Sequence, residues 1–255
     1  HPVAHSFPTR RSSDLADKLR LVELAPVAVL NAADPRTRAR LADRGHAHWY
    51  GTTAGWHVAN GAVRHGDAVV LRAGDWALRG EHNLWNLTAA LAAMEAAGVD
   101  AAGLAARAAG FAGLRHRLEI LGERGGLTWV NDSISTTPES AAAAARAFAD
   151  RPLTLLLGGQ DRGQDPTPLA AALAGRDVRV VTLPDNGPAL ATALGAAIVA
   201  HADDLAAAVA RAAATTPRGG VVLLSPAAPS YGRFRDFEQR GDRYAALAGF
   251  PRPQT

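Results

Sequence analysis

The chain has 255 residues, 48% of them hydrophobic, so it can bury one large or two modest globular cores. Its formal charge of +3 comes from the first twenty residues and scattered arginines, with no basic stripe interleaved with aromatics to select nucleic acid. The absence of cysteine excludes disulfides, cysteine zinc sites and a thiol nucleophile and fits a reducing compartment, and no apolar run approaches the roughly 20 residues that cross a bilayer.

The opening "HPVAHSFPTRRSSDL" is polar, rich in Arg and Ser, and lacks apolar periodicity. A transit peptide has such a composition, but the stretch looks more like translated sequencing-adapter sequence. Residues 1–15 are therefore set aside as a non-native or disordered segment. From Leu19 to about Gly113 the pattern is mixed. "PVAVLNAADP" (26–35) is an apolar run ending in Asn and Asp, and "HVANGAVRHGDAVVLRAGD" carries an Asn-Gly turn between alternating segments, which predicts a hairpin. "GEHNLWNLTAALAAMEAAGVD" predicts an Ala/Leu-rich helix that Gly98 terminates.

After "GLRHRLE" the chain becomes regular. Apolar runs at 127–132, 153–159, 178–183, 196–200 and 221–226 alternate with helical stretches near 138–149, 166–174, 187–194, 203–214 and 235–248. That alternation predicts right-handed crossovers and a mainly parallel sheet covered on both faces, a Rossmann-like α/β fold. Within "WVNDSISTTPES" (129–140), Thr137 suits an N-cap, Pro138 the first helical position, and Glu139 the positive end of the helix dipole. Capping leaves Asn131, Asp132 and Ser133 unexplained at the carboxyl end of a strand, where open α/β sheets bind ligands.

Two other strand ends join them. "GGQDRGQD" follows one strand and "LSPAAPSYGRFRDFEQRG" another, and in a parallel sheet all three would collect along one rim. Gly158 and Gly159 permit close backbone approach, and Arg162 offers a planar fork for a carboxylate or phosphate. Each has a bland reading: a Gly-Gly turn, a solvated loop, and a charged helix face from Arg233 to Arg243. Three such features at one rim favour a site.

Five segments, "GEHNLWNLTAALAA", "FAGLRHRLE", "VNDSISTTPES", "LLLGGQDRG" and "LLSPAAPSYGRFRDFEQRG", resemble the central and C-terminal domains of the Mur ligases in order and spacing, over about residues 19–250. The resemblance implies the C-terminal part of a central ATP-binding domain at 16–114 and a Rossmann-like, mainly parallel C-terminal domain at 115–255. It implies ATP-dependent addition of glutamate to UDP-N-acetylmuramoyl-L-alanine through an acyl phosphate, in peptidoglycan precursor synthesis. ATP and Mg²⁺ are the implied cofactors, the cytoplasm the implied location, and a monomer the implied state, with neither nucleic acid nor membrane as partner. By motif, Asn83, Asn86, His116, Arg117 and Asp132 fall at nucleotide-contacting positions, with His116 and Asp132 as the implied catalytic pair and no metal ligand assigned. Thr136, Arg162, Ser230 and Phe237 fall where the glutamate carboxylates are held, Phe237 through its backbone and packing. The plain alternatives are a helix cap for Asn83, a helix-face amide for Asn86, a hinge salt bridge for Arg117 and a core aromatic for Phe237.

The chain also departs from that pattern. D-glutamate-adding members have a lysine where Ile134 stands and another at Arg162, and a proline is usual where Arg115 stands. Exchanging an ammonium for a guanidinium turns a compact charge into a bidentate fork. The pairing of "NDSISTTP" with "GGQDRG" resembles the variants that add L-glutamate. No G-x-x-x-x-G-K-[ST] phosphate loop occurs, and the only lysine is Lys18. The expectation is an N-terminally truncated piece whose Mg²⁺ site lies mostly upstream and which is inactive alone. A nucleotide-binding module or an inactive fragment is the alternative, although "GGQDRG" does not follow G-x-G-x-x-G.

Overall fold

The structure is a computed structural model that describes residues 19–195 and 197–251, without the side chains of 197–199; the segment expected to be non-native at 1–15 lies outside the described residues. Contacts divide the chain into two units, one of residues up to Asp75 with Leu84–Gly110, the other of Trp76–Asn83 with Phe111 onward.

In the first unit, β1 (Ala28–Asn31) pairs in parallel with β2 (Ala47–Tyr50). Between them α1 (Pro35–Leu41) is capped by Asp34, whose side chain accepts from Arg36 N. An antiparallel sheet follows, β3 (Trp56–Ala59), β4 (Ala62–His65) and β5 (Ala68–Arg72). Asn60 (φ 51°) and Gly61 (φ 66°) are both left-handed, the conformation that a two-residue hairpin turn needs to match strand twist. The expected hairpin is present. Helix α2 (Glu81–Ala96) ends as expected at Gly98 (φ 78°), where Gly98 N donates to Glu95 O and Val99 N to Met94 O. Helix α3 (Ala101–Ala108) is capped by Asp100.

The second unit alternates strand and helix: β6 (Glu119–Arg124), β7 (Leu127–Asn131), α4 (Pro138–Arg146), β8 (Leu153–Leu157), α5 (Thr167–Leu173), β9 (Val178–Thr182), α6 (Gly187–Leu194), β10 (Ala197–His201), α7 (Leu205–Thr215), β11 (Val221–Leu224) and α8 (Phe237–Leu247). The sheet order is β10-β9-β8-β11-β7-β6, all parallel except the antiparallel edge strand β6. This is the Rossmann-like α/β architecture expected. Strand β6 escapes the pattern reading because its residues are only partly buried and Gly122 interrupts it. Its signal was the pair Gly125 (φ 65°) and Gly126 (φ 75°), a tight turn into β7.

Every residue of β7, β8 and β11 is buried, which is why these strands read as continuous apolar runs. Successive side chains face opposite ways. Leu153, Leu155, Leu157, Val221 and Leu223 pack against Ala141, Ala145 and Leu169, while Leu156, Val222, Leu224 and Trp129 pack against Ala208 and Tyr244. Truncating one of these leucines to alanine would cost about 2–5 kcal/mol. Residues Ala141, Ala142, Ala144 and Ala145 are at most 1% exposed, so helix α4 lies close on the sheet and brings its N-terminus to the rim.

Candidate functional site

Strand β11 lies between β7 and β8, with Leu224 in register with Asn131 on one side and Leu156 on the other. The three strand ends therefore form one rim, in the position where such sheets bind ligands. The hydroxyls near α4 are explained in part by a capping box: Thr137 Oγ1 accepts from Ser140 N, and Ser140 Oγ accepts from Thr137 N, each at 3.2 Å. Glu139 at the second helical position is exposed.

Asp132 is buried and ties the rim together. Its Oδ1 accepts from Leu118 N at 3.0 Å, its Oδ2 from Ser225 Oγ at 2.7 Å, and its own N–H donates to Leu224 O. Burial pushes its pKa up to about 6, against the opposing pull of hydrogen bonds from Ser135, Ser225 and Leu118 and the positive charge of Arg117. At neutral pH the carboxylate is charged, yet close enough to its midpoint to take up a proton in mild acid.

Asn131 and His116 form a second knot. The Asn131 amide accepts from Ser133 N at 3.2 Å, donates to Gly241 O at 3.1 Å and lies 3.0 Å from His116 Nδ1. His116 is buried with φ 61°, packs edge-on against Phe237 at 6.0 Å, and places Nε2 3.7 Å from Asp242, which also takes Arg115 at 2.7 Å. Arg115, where a proline was expected, makes a half-exposed ion pair with Asp242.

The reading of Arg233 to Arg243 as a charged helix face needs correction at Arg240, which is 1% exposed. The inward stripe of α8 is Arg240, Gly241, Tyr244 and Ala245, and the guanidinium enters it because Ser133 and Ala228 supply acceptors. The helical spacing from Arg240 to Tyr244 was the signal in the sequence.

Three cavities adjoin the rim. A polar hollow of about 110 Å³ brings together Asn83, Arg117 and Asp132 with His82, Ile134 and Ser135. Within it Asn83 Nδ2 donates to Arg79 O at 2.7 Å, and burial followed by the nearby Arg117 charge lowers the His82 pKa. His116 does not line this hollow, and Asn86 is an exposed residue of α2 grouped with the first unit. A cavity of about 210 Å³ is lined by Arg162, Gln160, Pro138 and Asn186. Another of about 210 Å³ is lined by Ser230, Arg240, Gly158, Gly159, Leu183 and Phe234. Between these two runs the Gly159–Gln160 backbone, fixed by Gly159 N to Asn186 Oδ1 and Gln160 N to Pro229 O, both at 3.0 Å. Arg162 and Ser230 therefore open into different cavities, while the half-buried Thr136 and Phe237 line none of the three. A Cβ on Gly159 would lie 2.3 Å from Pro229 O, so glycine is required there by the fold itself.

Among the described residues no group of three or more His, Asp or Glu side chains could hold a metal ion, and no helix is long and apolar enough to cross a membrane. Residues 116–228 match the family described as Mur ligase, glutamate ligase domain. The UDP-N-acetylmuramoyl-L-alanine--L-glutamate ligase of Xanthomonas euvesicatoria pv. vesicatoria is 45% identical over 244 residues, 92% of this chain and 52% of that protein. The chain is similar to Mur ligases over most of its length. Ligases of the same name from Micromonospora sp. (44% identical; 90% of this chain, 53% of that protein) and Xylella fastidiosa strain Temecula1 (42%; 92% and 52%) agree. The chain spans about half the length of these curated relatives. A Mur ligase fold is also seen in solved structures: a MurF ligase from Thermotoga maritima in complex with ADP has a TM-score of 0.62 at 18% identity, covering 87% of this chain and 52% of that one. The Mycobacterium tuberculosis folylpolyglutamate synthase, complexed with ADP and AMPPCP, has a TM-score of 0.58 at 24% identity, covering 89% and 56%. These likenesses establish the fold alone.

Proposed function

We propose that this chain is part of a cytoplasmic ATP-dependent ligase that joins L-glutamate to the carboxylate of UDP-N-acetylmuramoyl-L-alanine in peptidoglycan precursor synthesis. The reading rests above all on 45% identity across 92% of the chain to a protein named for that reaction. In this reading residues 16–114 complete a central ATP-binding domain and 115–255 form the glutamate-ligase domain. ATP, when bound, supplies the phosphoryl group that activates the carboxylate.

The polar hollow suits one end of a nucleotide. Its amide, guanidinium, carboxylate and hydroxyl groups match the mixed donors and acceptors of a nucleoside, whereas a triphosphate needs more cationic and backbone donors than Arg117 alone provides. Asn83 and Arg117 would orient the nucleotide, and Asp132 would present its charge while holding Leu118 and Ser225 in place. No role here runs through the metal. His116 would act by bracing Asn131 and the segment that carries Arg117. Thr136, Arg162, Ser230 and the backbone at Phe237 would hold the incoming amino acid, which only a well-placed amine makes reactive. Ile134 in the hollow and Arg162 in a separate cavity, where D-glutamate-adding relatives are expected to have lysines, support the L-enantiomer.

The test is a ligation assay with a full-length protein carrying these residues, UDP-N-acetylmuramoyl-L-alanine, ATP and each glutamate enantiomer. Product with L-glutamate is expected, and phosphate release by the 255-residue chain alone is not. Equal or better turnover of D-glutamate would overturn the stereochemical assignment. No product with either enantiomer would overturn the ligase reading.

A further inference from the structure

Arg117 stands between two residues in a backbone conformation that side chains resist. His116 has φ 61° and Leu118 φ 46°, both in the left-handed region, where a non-glycine residue is unfavourable and a bulky one exceptional. Such residues persist only where the surrounding structure over-determines them. The contacts that do so are specific: Leu118 N donates to Asp132 Oδ1 and His116 N to Glu119 Oε2, each at 3.0 Å, and His116 O accepts from Ile134 N at 3.1 Å. Arg117 thereby lines the polar hollow, where its charge acts on both Asp132 and His82.

The His116 ring is held in one orientation and one tautomer. The Asn131 amide cannot be turned over, because its oxygen receives Ser133 N and its nitrogen donates to Gly241 O. The same nitrogen therefore donates to His116 Nδ1, which must be bare, and the proton of the neutral imidazole lies on Nε2. Nε2 is 3.7 Å from Asp242 Oδ1, and that oxygen accepts from Arg115 Nη2 at 2.7 Å. Helix α8 brings this carboxylate to the ring: Phe237 meets the imidazole edge-on, Gly241 lies so near that a Cβ would be 2.3 Å from Nδ1, and Asp242 follows. Both partners of the carboxylate thus sit immediately before Arg117.

We propose that Asp242 is a positioning residue for the polar hollow: paired with Arg115, it faces the protonated Nε2 of His116, and through that ring it keeps the strained 116–118 turn that presents Arg117 to a nucleotide. The role toward nucleotide rests on the functional reading above; the anchoring of His116 does not. A half-exposed ion pair of this kind adds little to stability by itself. Its loss is therefore felt where strained backbone is free to relax, at Arg117.

Anchoring is tested on the 255-residue chain with ¹⁵N-labelled histidine, the His116 ring signals being assigned by their loss in His116→Gln. A bare Nδ1 and a protonated Nε2 are expected, with the Nε2 signal displaced in Asp242→Ala. The opposite tautomer, or an Nε2 signal indifferent to Asp242→Ala, overturns the proposal. Positioning is tested by ADP affinity in a full-length protein carrying these residues. Asp242→Ala is expected to weaken ADP about fivefold or more with an unaltered thermal melt, and Asp242→Asn, which keeps an acceptor of the same shape, to recover most of that loss. In an Arg117→Ala background, Asp242→Ala should weaken ADP by less than about twofold further, because the group it positions is already gone. Independent losses that multiply, or a melt that falls in step with affinity, would mark Asp242 as a structural pair alone and overturn its positioning role. Ligation by a protein whose ADP affinity ignores Asp242 would sink this inference alone, whereas the expected tautomer and non-additivity without ligation would sink the functional reading alone.

Discussion

The exits of β7 and β8 lie on the same rim and are built in opposite ways. After β7, Asn131, Asp132 and Ser133 are at most 2% exposed and are hydrogen-bonded to the segment 116–118, to Ser225 and to helix α8. After β8, the glycines are fixed by backbone contacts, but Gln160, Asp161 and Arg162 are exposed, and Arg162 has no hydrogen bond among the described residues. The first exit is a hydrogen-bonded scaffold that also lines the proposed nucleotide site, so a change there is expected to disturb stability and activity together. The second is an open arm, where a change should alter ligand affinity alone.

The strongest way to break the first exit is Gly241→Ala. Alanine in a helix ordinarily gains about 1 kcal/mol over glycine, but here its Cβ would lie 2.3 Å from His116 Nδ1 and 3.0 Å from the Asn131 amide. Both neighbours are held by hydrogen bonds and cannot step aside, so a net loss of about 3 kcal/mol is expected by urea denaturation of the chain. A neutral or stabilising result would show that the knot around Asn131 yields freely.

Asp132→Asn sharpens the comparison through pH. With a folded pKa of about 6 against an unfolded value near 3.8, the folded chain binds more protons between those limits. Stability from this group therefore falls as pH rises from about 4 to 6, and the deficit persists above. The amide variant should melt close to the parent at pH 4 and exceed it by about 2 kcal/mol at pH 8, while turnover of the full-length enzyme falls more than tenfold. A stability difference that does not change with pH would mean the carboxyl is not strained by burial.

Arg162→Ala is the smallest perturbation. An exposed side chain without partners should change stability by less than about 0.5 kcal/mol, and the thermal melt should be unaltered. The same variant is expected to raise KM for glutamate in the full-length enzyme without changing KM for ATP. A shifted melt would contradict the open-arm description, and an unchanged glutamate KM would remove Arg162 from the amino-acid site.

Much of the fold was legible because its causes are local. The apolar runs at 153–159 and 221–226 could only be fully buried strands, Thr137-Pro138 could only open a helix, and Asn60-Gly61 could only turn a hairpin. The pairing of β1 with β2 was not legible, since "AHWY" is short, half-exposed and has no periodicity of its own. For the site, the rim was readable from the strand ends, but its internal division was not. Nothing in "GGQDRG" reveals that Gln160 N binds Pro229 O and so separates Arg162 from Ser230.

By itself, then, the sequence determined which segments are strands and helices, where α4 and α6 begin, and that the polar strand ends belong to one parallel sheet. Periodicity, caps and turn residues act within a few positions, so they are written along the chain. Only the tertiary structure decided that β11 inserts between β7 and β8, that β6 closes the edge, and that Arg240 turns inward to Ser133, 107 residues away. Those outcomes depend on which surfaces meet once water is excluded. A guanidinium is solvated or buried according to the acceptors that distant segments bring to it, and no local pattern records them.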